Sequence, residues 1–148
     1  MGSARRSQRR CSLPGERSFR LCDWLCDRCG WRLVEQMRTF AHAHEVVPKK
    51  VKEGVEMRVL VWSGKLMITQ VSFKKGCVGD LHSHPHEQIS YVVEGEFIYT
   101  VGEEKYHMKA GSAIYVPGGV KHQVEALSDA VLLDVFTPIR EDYLPHSL

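Results

Sequence analysis

At 148 residues the chain has room for one domain with an apolar core, and too few residues for two of ordinary size. Its 43% hydrophobic and 26% charged content is that of a soluble globular protein, and its formal net charge of +2, with the arginine excess gathered at the N-terminus, speaks against nucleic acid or another large polyanion as a partner. No apolar run approaches the roughly 20 residues that a membrane helix needs, and the Arg-rich start leads into no apolar signal segment, so no membrane is expected and the cytoplasm is the expected location.

Residues 1–36 differ in composition from everything that follows. The first twenty are rich in Arg and Ser and nearly devoid of apolar side chains, a composition that cannot offset the entropy of ordering, and they are expected to be disordered. The next sixteen contain Cys22, Cys26 and Cys29 in the C-x3-C-x2-C spacing of radical-SAM iron–sulfur sites. That chemistry needs a far larger barrel than this chain can build, and a zinc clip lacks an obvious fourth ligand. Four of the five cysteines, with Cys11, fall in this stretch, and an odd, clustered count is not a disulfide framework. The abrupt change in composition marks residues 1–36 as an N-terminal extension, with Met37 read as the native start and 37–148 as the folded domain.

From Thr39 to Pro48 the chain carries His42 and His44, without flanking glycines, and these read as exposed histidines rather than ligands. Strands are predicted over 56–62 and 65–73, forming a hairpin about Ser63-Gly64, with Met67, Thr69 and Val71 on one face of the second and Leu66, Ile68 and Gln70 on the other. Beyond Gly76 come QISYVVEG, EFIYTVG, a short strand over 105–108, SAIYVP, HQVEAL and AVLLDVFTP, each bounded by Gly or polar turns. Short strands at intervals of about eight to ten residues are what a jelly roll or small barrel requires, so the fold class is all-β. The last strand puts Leu132, Asp134 and Phe136 on one face and Val131, Leu133 and Val135 on the other. A carboxylate amid such a run must be hydrogen-bonded in a polar interior, since burying it bare costs several kcal/mol. Tyr91, Tyr99, Met67 and Phe97 read as core or pocket wall, and Cys77 as a small buried hydrophobe.

Two stretches interrupt this pattern with chemistry. Gly76 to Gly95, GCVGDLHSHPHEQISYVVEG, holds His82, His84, His86 and Gln88; alternation along an extended chain lets His82 and His84 reach one point, and Gln88 can join them after the Pro85 bend. Imidazoles converging on one point serve mainly to hold a metal. Gly111 to His122, GSAIYVPGGVKH, turns at Pro117-Gly118-Gly119 and offers His122 at the start of the next strand.

Together the two stretches resemble the two motifs of the cupins. The pattern G-x5-H-x-H-x3-E-x6-G is met by Gly76, His82, His84 and Gly95, with Gln88 in place of the usual Glu; G-x5-P-x-G-x2-H is met by Gly111, Pro117, Gly119 and His122. The resemblance covers about residues 57–143 and implies a cupin-type jelly roll, or double-stranded β-barrel. Its register selects His82, His84, Gln88 and His122 as metal ligands and leaves His86 at the pocket rim or behind the ligands. Three imidazoles and an amide leave a divalent ion its full charge, which favours Lewis-acid work over the oxygen chemistry of two-His-one-carboxylate sites. Zinc, nickel, manganese and iron all suit such ligands.

A closer resemblance, carried by HxHPHEQ over residues 82–88 and by D-x-F-x3-R at Asp134, Phe136 and Arg140, is to the KdgF-like proteins of pectin and alginate breakdown. It implies metal-assisted opening of 4,5-unsaturated monouronates to linear keto sugars, with Asp134 moving the proton, Arg140 gripping the uronate carboxylate and Phe136 shaping the pocket wall. The substrate so implied is a small sugar acid, and the resemblance also implies a homodimer. A ligand-binding or sensor barrel without catalysis, and a metal-dependent dioxygenase, are the alternative readings.

Overall fold

The computed structural model describes residues 37–144. Nine strands account for most of them: β1 (Lys49–Lys52), β2 (Val55–Trp62), β3 (Met67–Phe73), β4 (Glu87–Glu94), β5 (Glu96–Val101), β6 (Glu104–Lys109), β7 (Ala113–Val116), β8 (His122–Ala126) and β9 (Ala130–Thr137). The only helical elements among the described residues are single 3-10 turns at Ala43–Glu45 and Glu141–Tyr143. A six-stranded sheet runs β1-β2-β3-β9-β4-β7 and a three-stranded sheet runs β6-β5-β8. All the paired neighbours are antiparallel.

β1 lies outside the strands predicted from hydrophobic alternation. Its sequence, KKVK, has one apolar residue in four, and it forms the edge of the larger sheet. Lysines on an exposed edge discourage pairing with another chain, which is why an edge strand can lack the pattern that marks the inner ones. The other strands follow the predicted parity. β9 alternates without exception, with Ala130, Leu132, Asp134 and Phe136 buried. On β4 the buried positions are Gln88, Ser90 and Val92, so Tyr91 points outward at 43% exposure; it is neither core nor pocket wall, because the residues flanking it take the inward positions.

Two apolar clusters close the barrel. One gathers Val55, Phe73, Val92, Phe97, Met108, Val116 and Leu132, with the Phe73 and Phe97 rings edge-to-face at 5.4 Å; the other gathers Val59, Met67, Phe136 and Ile139. β9 contributes Leu132 to the first and Phe136 to the second, and Asp134 stands between them. A polar layer therefore lies between two apolar ones. Inside it, Asp134 is opposite Thr69 of β3 on one side and Ser90 of β4 on the other.

Gly118 fixes how the two histidine-bearing stretches meet. The Gly119 amide donates to the His84 carbonyl at 2.7 Å, and a Cβ on Gly118 would collide with the Pro85 carbonyl oxygen. Gly118→Ala is therefore expected to push the two loops apart and to cost about 1–3 kcal/mol, the usual scale for overpacking, as measured by urea unfolding.

Candidate metal centre

His82 and His122 face each other across a reciprocal backbone pair: the His82 amide donates to the His122 carbonyl at 3.1 Å, and the His122 amide to the His82 carbonyl at 2.9 Å. His84 joins them, with its ring centroid 4.9 Å from that of His122 and 5.6 Å from that of His82. One ligand nitrogen from each of the three lies within 4.8 Å of the others. His82 is exposed, while His84 and His122 are buried. His86 is not part of this group, and His42 and His44 are exposed and stack on one another, 5.4 Å between centroids.

Each of the three imidazoles is oriented by a backbone carbonyl. His82 Nδ1 lies 2.7 Å from the Asp80 oxygen, His84 Nδ1 3.1 Å from the His86 oxygen, and His122 Nδ1 2.9 Å from the Val120 oxygen. A carbonyl only accepts, so each contact calls for the proton on Nδ1 and leaves Nε2 as the lone-pair nitrogen, the arrangement that metal-ligating histidines use. Burial, with lesser opposition from the Val120 carbonyl, pulls the His122 pKa down to about 4, and His84 is likewise lowered, burial being the main cause and Arg140 the next. Both are neutral at pH 7.

Two further observations show that these residues fit a divalent cation. His122 Nε2 is buried and has no hydrogen-bond partner. His84 Nε2 faces Gln88 Oε1 at 3.0 Å. With its single proton on Nδ1, the neutral His84 ring presents a lone pair to an amide oxygen, so two acceptors confront each other. A cation shared by both atoms removes that conflict.

Gln88 Nε2 donates into a second cluster: Ser90 Oγ at 2.9 Å, Asp134 Oδ1 at 3.0 Å and the Tyr99 hydroxyl at 3.2 Å. Ser90 donates to Asp134 Oδ1 at 2.5 Å and lies 3.0 Å from the Tyr99 oxygen. Burial pushes the Asp134 carboxyl above the usual carboxylate range, with hydrogen bonds from Ser90 and Gln88 pulling against it. Tyr99 is raised too, chiefly by burial and then by Asp134, so its hydroxyl keeps its proton.

A cavity of ≈ 280 Å³ opens onto this site. Its wall includes His82, Gln88, Tyr99, His122, Asp134, Phe136 and Tyr143, with Lys52, Asp80 and Gln123 also lining it. Phe136 meets His84 edge-on at 5.7 Å. Arg140 is buried at 9% exposure: its Nε and Nη2 donate to the two Asp142 oxygens at 3.0 and 2.8 Å, and its guanidinium lies 4.2 Å over the Tyr143 ring. Its Nη1 is buried without a partner.

The predicted residues His82, His84, Gln88, His122, Asp134 and Phe136 thus line or border one space, with Arg140 against Phe136 and Tyr143. Ser90, Asp142 and Tyr143 were not anticipated as parts of it; Tyr99, expected as core or pocket wall, lines the cavity, and its hydrogen bond with Gln88 was not foreseen. Ser90 carries a legible signal, a hydroxyl on the inward side of a strand two residues after Gln88. Asp142 and Tyr143 follow the last strand, where no alternation marks direction. Cys22, Cys26 and Cys29 lie outside the described residues.

A β-barrel that gathers three imidazoles and an inward polar residue at one point is the architecture of a cupin. The family described as Cupin domain matches residues 69–136. The pectin degradation protein KdgF of Dickeya dadantii is 34% identical over 110 residues, covering 73% of this chain and 100% of that one. Among solved structures, KdgF from a Halomonas species superposes with a TM-score of 0.69 at 34% identity, covering 72% of this chain and 99% of its own. An RmlC-like cupin from Shewanella frigidimarina does so with 0.71 at 33% identity, covering 74% and 99%. The chain belongs to the cupins, and among them to the KdgF-like proteins. No described helix is long and apolar enough to cross a membrane.

Proposed function

We propose that this protein is a metal-dependent isomerase that opens small 4,5-unsaturated uronates to linear keto sugar acids. The observation that carries the reading is the Asp134 carboxylate, buried in the cavity wall and joined through the Gln88 amide to the three-histidine cluster. The kinship with KdgF supports the substrate class. A cavity of ≈ 280 Å³ is of the size for one sugar ring.

His82, His84, Gln88 and His122 would hold one divalent ion, whose positive charge would favour the oxyanion that develops during ring opening. The reaction moves protons without oxidation. The hemiacetal hydroxyl loses its proton, the bond from the anomeric carbon to the ring oxygen breaks, and carbon 4 takes a proton as carbon 5 becomes a ketone. Asp134, poised by burial above the usual carboxylate range, is the group that holds and returns the proton. Phe136 forms the wall against which the ring lies. Arg140 supplies charge for the substrate carboxylate through Nη1, the one guanidinium nitrogen without a partner, while Asp142 steadies the other two.

The test is the loss of the enol-ether absorbance of unsaturated galacturonate with metal-loaded protein. Acceleration beyond the spontaneous rate is expected. A metal-loaded protein that binds the uronate without accelerating its loss fits a sensor barrel, and oxygen consumption would fit a dioxygenase.

The reading includes a homodimer. The outward face of the larger sheet carries Ile89, Tyr91 and Val93 on β4, with Tyr115 of β7 opposite Ile89, all about half exposed. So many apolar side chains on one face favour burial against a second copy. Light scattering of the purified protein is expected to give twice the chain mass, and Tyr91→Glu is expected to shift it toward the monomer.

A further inference from the structure

An amide ligand poses a question that a carboxylate does not. Its two ends are alike in shape and opposite in chemistry, and a metal ion takes only the oxygen. Something must decide which end of Gln88 faces the histidines. At one end, Oε1 lies 3.0 Å from His84 Nε2; at the other, Nε2 lies within 3.2 Å of three oxygens, those of Ser90, Asp134 and Tyr99.

The protons around Nε2 can be followed one by one. Asp134 Oδ1 accepts the Ser90 proton, and Ser90 Oγ, having given its proton away, accepts from the Tyr99 hydroxyl at 3.0 Å. The chain Tyr99 to Ser90 to Asp134 runs in that direction because it ends on a carboxylate. Both hydroxyl protons are thereby committed, and only lone pairs remain for Gln88 to meet. The two amide hydrogens meet an acceptor whichever of the three oxygens they point to. Turned over, the amide would bring Oε1 against Asp134 Oδ1 and the two lone-pair oxygens, while its NH2 group would take the place of the metal. These groups expose little surface to the cavity, Ser90 at 0%, Tyr99 at 2% and Gln88 at 5%, so the wrong orientation would set acceptor against acceptor with little water to relieve it.

We propose that Ser90 and Tyr99 are positioning residues that hold the Gln88 amide with its oxygen toward the His82, His84 and His122 cluster. Ser90 acts from β4, two residues from Gln88, and Tyr99 from β5 in the other sheet, so the orientation is held from both walls of the barrel. The inference rests on the metal-site part of the proposed function.

Its test is a double-mutant cycle on zinc affinity, read by competition with a chelating dye, which needs no substrate. Tyr99→Phe keeps the ring and removes the hydroxyl; Ser90→Ala is the second variant, in case the first folds poorly. Each is expected to weaken zinc binding about tenfold in the Gln88 protein, the lower end of what outer partners of metal ligands contribute. In a Gln88→Ala background there is no amide to orient, and each is expected to change affinity less than about twofold, since the remaining contacts do not reach the ion. Equal losses in both backgrounds, or none in either, overturn this inference alone. A wild-type protein that binds no zinc, or a Gln88→Ala protein that binds it as tightly as wild type, overturns it together with the four-ligand site.

Discussion

Replacing His122 with alanine is expected to abolish metal binding and, with it, any stabilisation that metal confers. His122 contributes the buried Nε2 that has no partner within the protein, so the histidine serves no hydrogen bond there that its loss would break. The variant also loses the Nδ1 bond to the Val120 carbonyl and buried packing, a cost present with or without zinc, so the zinc-dependent difference isolates the effect on the ion. In zinc at about 100 times its dissociation constant the wild type is expected to gain about 2.7 kcal/mol of stability from mass action, and the His122→Ala protein none. Affinity should fall by more than the roughly 10–100-fold that loss of an outer partner costs, because a direct ligand is gone. Urea unfolding with and without zinc, on both proteins, measures each quantity. A variant that keeps the zinc-dependent gain would remove His122 from the ligand set.

The second large effect is expected at Asp134. Asp134→Asn preserves shape and an oxygen for Ser90 to donate to, but the side chain can no longer take up a proton. Turnover of the unsaturated uronate is expected to fall about 10²–10⁴-fold, the range attributable to a positioned acid or base, with zinc affinity changed far less. The split between the two readouts matters because Asp134 touches Gln88 at 3.0 Å, so a merely structural carboxylate would disturb both together. Full activity in Asp134→Asn would place the proton transfer elsewhere, and an affinity loss matching the activity loss would make Asp134 a support for the metal.

Much of this arrangement was legible before any coordinates. Strand parity, a local periodicity, placed Asp134 and Phe136 on the inward face of β9, whereas alternation alone groups His82, His84 and His86, and it was the resemblance to the cupin motifs that set His86 apart. What stayed hidden depends on which strands become neighbours. Ser90 and Thr69 flank Asp134 only because β4 and β3 pair on either side of β9 in a defined register. Tyr99 reaches the same carboxylate neighbourhood from the other sheet, and a tyrosine in a β-branched run looks like core. Tyr91 was misplaced for the complementary reason: once Gln88 and Ser90 turn inward, parity sends it out, and its aromatic character says nothing about side. Arg140 was expected to grip the uronate carboxylate; that Asp142 engages two of its nitrogens and Tyr143 lies against the guanidinium was hidden, because these contacts are made after the last strand ends.

The chemistry proposed here requires that four side chains from the two motif stretches share a single ion. Anomalous diffraction from crystals of the zinc-loaded protein, collected on both sides of the metal absorption edge, tests that directly. The expected result is one peak per chain within bonding distance of His82, His84 and His122 Nε2 and Gln88 Oε1. A peak elsewhere, or a fully loaded solution that yields none at these four atoms, would contradict it.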